Sequence, residues 1–273
     1  MNTPAFDAEA CHRATREKVA GIFGWAGNNV RLDDRQLFYV ELVSRTGSLA
    51  KGRHLVDLGP GLAAFGPVVR EMGMEVTLVD DFGGGGCVDV ARQDVTQRFL
   101  DQFRNTLGIR IEEMDFLTRP LPLGNSSVDI ITCFHSLEHW HHSPKPLFRE
   151  IVRVLKPGGH LIIATPNAAN IRKRFFVPFG HNIWSSLDEW YHEGDPVFRG
   201  HVREPIARDL QILLEWNHLE LVDTIGRNFI GRDSLALQFL PRRLVHSVAV
   251  AADYLLRLFP TLCSDIHVVG RKR

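Results

Sequence analysis

The stretch His54-Leu55-Val56-Asp57-Leu58-Gly59-Pro60-Gly61-Leu62-Ala63-Ala64-Phe65-Gly66 decides how the rest of the chain is read. Its first five residues form an apolar run suited to a buried strand; Gly59 and Gly61 mark a sharp turn, and a helix follows. Glycines at such a turn let the backbone approach a ligand, and the helix N-terminus offers N–H groups. Gly59-x-Gly61-x-x-Ala64 satisfies the dinucleotide fingerprint. Asp80 ends the next apolar run about 20 residues on, where a carboxylate binds ribose hydroxyls. Taken alone, this pattern suits a nicotinamide coenzyme and other nucleosides equally. Asp57 separates them. A dinucleotide would bring a pyrophosphate to the mouth of the turn, and each like-charge pair at about 6 Å costs roughly 3 kcal/mol at an effective dielectric near 20. The turn therefore favours a cationic nucleoside. Asp57 capping backbone N–H groups is compatible with that role.

Outward from this turn, short apolar runs alternate with helical segments. His54–Leu58, Glu75–Val79, Gly108–Glu112, Val128–Cys133 and His160–Ala164 read as strands. Helices are expected at 61–72, 88–105 and 145–155; in the last, Leu147, Ile151, Val154 and Leu155 recur at helical spacing, and Pro157-Gly158-Gly159 stops it. Uniformly apolar strands spaced by helices indicate a parallel sheet covered on both faces. Residues 7–24 and 33–47 read as two N-terminal helices, the second with Leu37, Val40, Glu41 and Ser44 on one face. A helix near 204–216, a strand near 219–225 and a last strand at Asp265–Gly270 complete the pattern. The expected organisation is an N-terminal helical segment, 1–48, and an α/β domain, 49–273, with insertions at 166–203 and 228–262.

Composition narrows the function class. With 273 residues, 32 Lys+Arg and 32 Asp+Glu, the chain has no net field to recruit nucleic acid or anionic lipid. Cys11, Cys87, Cys133 and Cys263 are scattered without a C-x-x-C pair, which points away from disulfides or a thiolate zinc site and toward a reducing compartment. The first residues lack a basic n-region and an apolar h-region, so no secretory signal is expected. The least polar long stretch, Leu235 to Leu262, is interrupted by Pro241, Arg242, Arg243, Asp253, Arg257 and Pro260 and does not read as a membrane span. A cytoplasmic location is expected.

An ordered series of motifs carries a resemblance. Asp57-Leu58-Gly59-Pro60-Gly61 is followed by Val79-Asp80, Asp115-Phe116 before Leu121-Pro122-Leu123, and Ser127-Val128-Asp129. Ser136-Leu137-Glu138-His139, Val154-Leu155-Lys156-Pro157-Gly158-Gly159 and Ala164-Thr165-Pro166-Asn167 come next. In this order, over roughly residues 50–167, the chain resembles class I S-adenosylmethionine-dependent methyltransferases, in the small-molecule branch related to quinone-biosynthesis enzymes. Weaker echoes occur at His201-Val202-Arg203-Glu204 and at the last strand. Ala63 stands where many members have a third Gly, which implies a slightly tighter turn. The resemblance implies a Rossmann-like seven-stranded sheet, mostly parallel with its last strand antiparallel, and S-adenosylmethionine as cofactor. By it, Gly59 and Gly61 line the methionine part, Asp80 holds the ribose, Asp115 accepts from the adenine amino group and Phe116 lies beside the ring. Asp57 suits the cofactor's sulfonium and ammonium.

Thirteen histidines include the group His135, His139, His141 and His142. His135-Ser136-Leu137-Glu138-His139 matches the H-x-x-E-H zinc motif. That motif needs a continuous helix, whereas this segment directly follows an apolar strand and meets Ser143-Pro144 within about two turns. In the methyltransferase reading it is the loop after the fourth strand, which faces the transferred methyl. A base is needed there only for an acidic acceptor such as a hydroxyl; His135 is the first candidate, with Glu138 and His139 behind it.

The insertion 166–203 holds Phe175, Phe176, Phe179, Trp184, Trp190, Tyr191 and Phe198 among Arg172, Lys173 and Arg174. It reads either as a lid over a ring-shaped or apolar acceptor or as a loop anchored by its aromatics. The basic run offers contacts to an acceptor phosphate or carboxylate. Leu244, Val248, Ala251, Ala252, Leu255, Leu256 and Phe259 form a helical stripe that packs on its own domain, joins a dimer or touches a membrane surface. The expected function is metal-free, S-adenosylmethionine-dependent methyl transfer to a small molecule or glycan precursor. A non-catalytic S-adenosylmethionine-binding protein, a zinc hydrolase and an NAD oxidoreductase are the rivals.

Overall fold

The computed structural model describes residues 7–25, 34–83, 93–184, 186–192, 198–229 and 242–273. Cys87, Gly84–Gly86 and the start of the 235–259 stripe lie outside them. The strands are β1 (His54–Leu58), β2 (Glu75–Asp80), β3 (Arg110–Glu113), β4 (Val128–Phe134), β5 (Leu155–Pro166), β6 (Leu219–Arg227) and β7 (Asp265–Lys272). They form one seven-stranded sheet in the order β3-β2-β1-β4-β5-β7-β6, mostly parallel with an antiparallel pair. Parallel registers pair Asp57 with Leu78 of β2 and with Thr132 of β4. β1, β2 and β4 are buried along most of their length, as the unbroken apolar runs require.

The chain divides into two compact units. The first comprises Met1–Phe134, His142–Ile162 and Lys272–Arg273. Its helices are α1 (Ala8–Ala14) and α2 (Ala20–Trp25), joined by a π-helical turn at Thr15–Val19, then α3 (Asp34–Arg45), α4 (Phe65–Glu71), α5 (Gln93–Leu107) and α6 (Lys145–Val154). Phe23 of α2 meets Phe99 and Phe103 of α5 at 5.2 and 5.9 Å between ring centroids. Tyr39 of α3 stacks on Phe134 at 4.0 Å, and Phe65 of α4 closes the triad edge-on at 5.0 Å. Each fully buried aromatic contributes about 1.5–3 kcal/mol, so these rings bind the N-terminal helices to the sheet unit. The face α3 buries is Phe38, Tyr39, Val40, Leu42, Val43 and Ser44. It differs from the expected one because Glu41 turns outward to pair with Arg45.

Pro157-Gly158-Gly159 is also a correction. It does not stop a helix before a later strand but lies inside β5. Gly158 has φ 79°, and a side chain on Gly159 would meet the Asp129 carbonyl oxygen at 3.0 Å. These glycines let the strand begin in close contact with β4. The same corner is charged: Asp129 accepts from Arg53 Nη1 at 2.9 Å, His54 N–H at 3.0 Å and Lys156 Nζ at 2.7 Å.

The second unit comprises His135–His141 and Ile163–Arg271. It adds α7 (Ile171–Phe176), α8 (Leu187–His192), α9 (Ala207–Trp216) and α10 (Arg242–Leu256). Buried Asn167 donates to the Thr261 and Cys263 carbonyls and accepts from Ala169 N–H, which ties the end of β5 to the entry of β7. Asp253 of α10 holds Arg227 of β6 and Asn228 N–H, with Arg257 one turn on. These contacts account for Asp253 and Arg257 among the charges that interrupt the apolar stripe. Among the described residues no helix is long and apolar enough to cross a membrane.

Burial alone would raise the Asp129 carboxyl, but His54 N–H, Lys156 and Arg53 together hold it below the usual carboxylate range. Its stabilising contribution is therefore present above about pH 4 and lost as pH falls through the depressed value. Asp129→Ala is expected to lower stability at pH 7 by about 2–4 kcal/mol, because it orphans a backbone N–H and two cations. The deficit shrinks in acid; urea midpoints at pH 7 and pH 3 check both statements.

Candidate functional site

The glycine turn of the first unit is built by left-handed backbone. Gly59 has φ 71° and Gly61 φ 52°, values that a residue with a side chain rarely adopts. Gly59 N–H donates to the Val79 carbonyl at 2.9 Å, which anchors the turn to the end of β2. Asp80 closes it. One carboxylate oxygen accepts from Gly61 N–H at 2.8 Å and the other from Phe82 N–H at 2.9 Å. A side chain placed on Gly61 would meet nothing within 4 Å, so the backbone there faces open space. That combination suits a ligand lying flat against peptide groups.

Asp57 sits at 2% exposure, which corrects its expected position at an open mouth. Thr132 Oγ donates to its carboxylate at 2.7 Å, a partner 75 residues away on β4 that the turn motif does not reveal. Burial is the main influence and lifts the Asp57 carboxyl to about 7, with Thr132 opposing and Asp80 adding to the rise. Asp80 is likewise raised by burial, although Gly61 and Phe82 N–H groups oppose it. The open backbone at Gly61 follows this buried carboxylate, Asp57, by four residues.

Met114 N–H donates to the Asp80 carbonyl at 2.9 Å, so Asp115 begins beside the end of β2. Its carboxylate accepts from Leu117 N–H at 2.9 Å and Thr118 Oγ at 3.1 Å and stays half-exposed, while Phe116 is 7% exposed. Asp115 thus organises its own turn and keeps lone pairs for a donor on a ligand.

In the second unit, His135 has φ 50° and donates its N–H to the Ala164 carbonyl at 2.8 Å. Helical structure resumes only as one 3₁₀ turn, Leu137–His139. His135 and His139 therefore do not share a helix face, and the H-x-x-E-H reading loses its geometry. His135 instead lies between two carboxylates, Nδ1 at 3.3 Å from Glu138 and Nε2 at 3.2 Å from Asp265. Burial alone would lower the imidazole, but Asp265 and Glu138 raise it to about 9. An imidazolium at neutral pH anchors an anion or donates a hydrogen bond; it does not accept a proton. Neighbouring His267 is fully buried, and its imidazole is pushed down to about 3 by that burial. His139 donates through Nδ1 to the Arg199 carbonyl at 2.7 Å and meets His201 edge-on at 4.8 Å. Asp265 and His201 were not among the expected site residues, since each comes from a distant segment.

The 166–203 segment presents Phe175, Phe179, Trp184, Trp190 and Tyr191 to solvent at 61–75% exposure, so these rings do not anchor a loop. Lys173 is not available for an acceptor anion: its ammonium pairs with Glu204 and the Ile183 carbonyl. Arg174 donates to the Ala169 carbonyl, and both Arg172 and Arg174 are exposed.

Residues 56–163 match the family model described as a methyltransferase domain. By that match, residues 56–163 are a methyltransferase domain. Among curated relatives, "Probable methyltransferase PMT7" of Arabidopsis thaliana is 25% identical over 53% of this chain and 22% of its own length. A "Probable S-adenosylmethionine-dependent methyltransferase" of Mycolicibacterium smegmatis is 33% identical over 39% of this chain and 34% of its own. The match thus spans about a quarter to a third of these relatives. The solved S-adenosylmethionine-dependent methyltransferase of Mesorhizobium loti shares the fold at TM-score 0.54 and 19% identity, covering 89% of this chain and all of that one. The methyltransferase family uses S-adenosylmethionine, and the turn, Asp80 and Asp57 of this domain fit it.

The methyltransferase domain carries a buried carboxylate with a raised pKa, which sets a pH dependence. Between about pH 4 and 7 the folded state binds a proton that the unfolded state has released, so stability falls as pH rises through that window. Asp57→Asn removes the cost. The cofactor-free variant is expected to melt above the parent at pH 8, by roughly 1–3 kcal/mol or several degrees, and alongside it at pH 4. Thermal melts at both pH values decide it; a variant melting lower at pH 8 refutes the assignment.

Proposed function

We propose that the protein transfers a methyl group from S-adenosylmethionine to a small-molecule or glycan-precursor acceptor, in a reducing compartment such as the cytoplasm. The observation that carries this reading is a buried carboxylate, Asp57, beside left-handed backbone that opens to space at Gly61. The free state of Cys11, Cys133 and Cys263 supports the compartment.

The cofactor supplies an activated methyl on a sulfonium, whose departure as a neutral thioether needs no acid. The chain's work is therefore binding and alignment, which lower the barrier by fixing the reacting pair in line. Asp57 receives the cationic end, Gly59 and Gly61 pass the methionine part, Asp80 takes the ribose hydroxyls, and Asp115 and Phe116 receive the adenine. On the acceptor side, Glu138 and His139 remain the residues to test, with His135 as a positively charged anchor in place of a base. The exposed aromatic segment supports an acceptor with an apolar or ring portion, and Arg172 is the charge it offers to an anionic group.

Calorimetry and melting with S-adenosylmethionine, S-adenosylhomocysteine and NADH test the binding half. The first two are expected to stabilise the protein, by about 2.7 kcal/mol at 100 times Kd, and NADH not at all. Asp57→Asn is expected to weaken S-adenosylmethionine at least tenfold, and NADH stabilisation would overturn the reading. Methyl loss over a panel of hydroxylated and glycosylated acceptors distinguishes an enzyme from a protein that only holds the cofactor.

A further inference from the structure

We propose that Glu138, His139 and His201 form a binding site for a divalent transition-metal ion of the zinc class. One donor atom from each lies within 4.8 Å of the other two. Tetrahedral ligands on zinc, with bonds near 2.1 Å, stand about 3.4 Å apart, so the three need to close by little more than 1 Å. Glu138 is fully buried, and both rings are half-buried.

The surroundings prepare these rings as ligands. His139 Nδ1 lies 2.7 Å from the Arg199 carbonyl oxygen, which only accepts, so Nδ1 carries the proton and Nε2 the lone pair. His201 Nδ1 stands 2.9 Å from Glu204, itself paired with Lys173, and the same assignment follows. Imidazoles that bind metals are oriented in this way by a carbonyl or carboxylate on the other nitrogen. The loop bearing His201 is also tied to the residue bearing the carboxylate: the Glu138 carbonyl accepts from Val202 N–H at 2.7 Å and Arg203 N–H at 3.2 Å. Two segments distant in sequence are thus held in register before any ion arrives.

Two nitrogens and one carboxylate oxygen favour zinc, cobalt or ferrous ion over magnesium or calcium. Three protein ligands leave at least one coordination position for water or an oxygen atom of a ligand. The set differs from the H-x-x-E-H motif, since His201 takes the place of His135. It also replaces the expectation that the protein lacks a metal site. The proposal does not depend on methyl transfer.

The test is a cobalt(II) titration of the chelator-treated full chain, followed by visible d–d bands and by competition with zinc. One equivalent is expected to bind and to be displaced by zinc. Asn places an amide nitrogen where His has Nδ1 and deletes Nε2, so His139→Asn and His201→Asn keep the Arg199 and Glu204 contacts. Each is expected to lose about 100-fold or more in affinity, while His135→Asn keeps stoichiometric binding. Parent-like circular dichroism and thermal melting of every variant report that the chain is folded, and failure of the parent to bind S-adenosylhomocysteine would count against the methyltransferase reading alone. Absence of the bands in folded protein, undiminished affinity in both Asn variants, or loss confined to His135→Asn overturns the site.

Discussion

Asp80 holds two backbone N–H groups at once, those of Gly61 and Phe82, and through them fixes the bend on which the cofactor site depends. The constraint is stringent because the bend needs positive φ at Gly59 and Gly61, a conformation with little to favour it unless its N–H groups are paired. A carboxylate at the end of the neighbouring strand supplies that pairing and so shapes the turn.

Electrostatic cost is concentrated at two places. Asp57 is held in the sheet with a hydroxyl as its described partner, and its raised pKa measures what that isolation costs. Sites that bind a cation keep such a charge because the ligand repays the desolvation when it arrives. In the second unit, Glu138 and Asp265 flank one imidazole and share its charge, so His135 is protonated where an isolated ring would be mostly neutral. The two places differ in their partners: Asp57 has a hydroxyl, whereas His135 lies between two carboxylates.

Much of the first unit was legible in advance. β1 falls on its expected residues, and α6 buries Leu147, Ile151 and Val154 at the spacing that announced it. These elements are governed by local periodicity and by burial on both faces, which leave uninterrupted apolar runs. Breakers such as Pro157-Gly158-Gly159 mark close approach of backbones as well as loops, and only the neighbouring Asp129 carbonyl distinguishes the two. The aromatic segment after β5 was readable as composition but not as exposure. Lys173 was read as available because its partner, Glu204, lies 31 residues away.

The sequence by itself determined the alternation of strands and helices, the glycine bend and the acids at the ends of β1 and β2, because spacing along one chain sets them. Only the tertiary structure decided that Thr132 faces Asp57, that Asp265 shares His135 with Glu138, and that His201 comes to His139. Each of those pairs joins residues far apart in sequence, and no local pattern reports a contact that strand order and loop closure create.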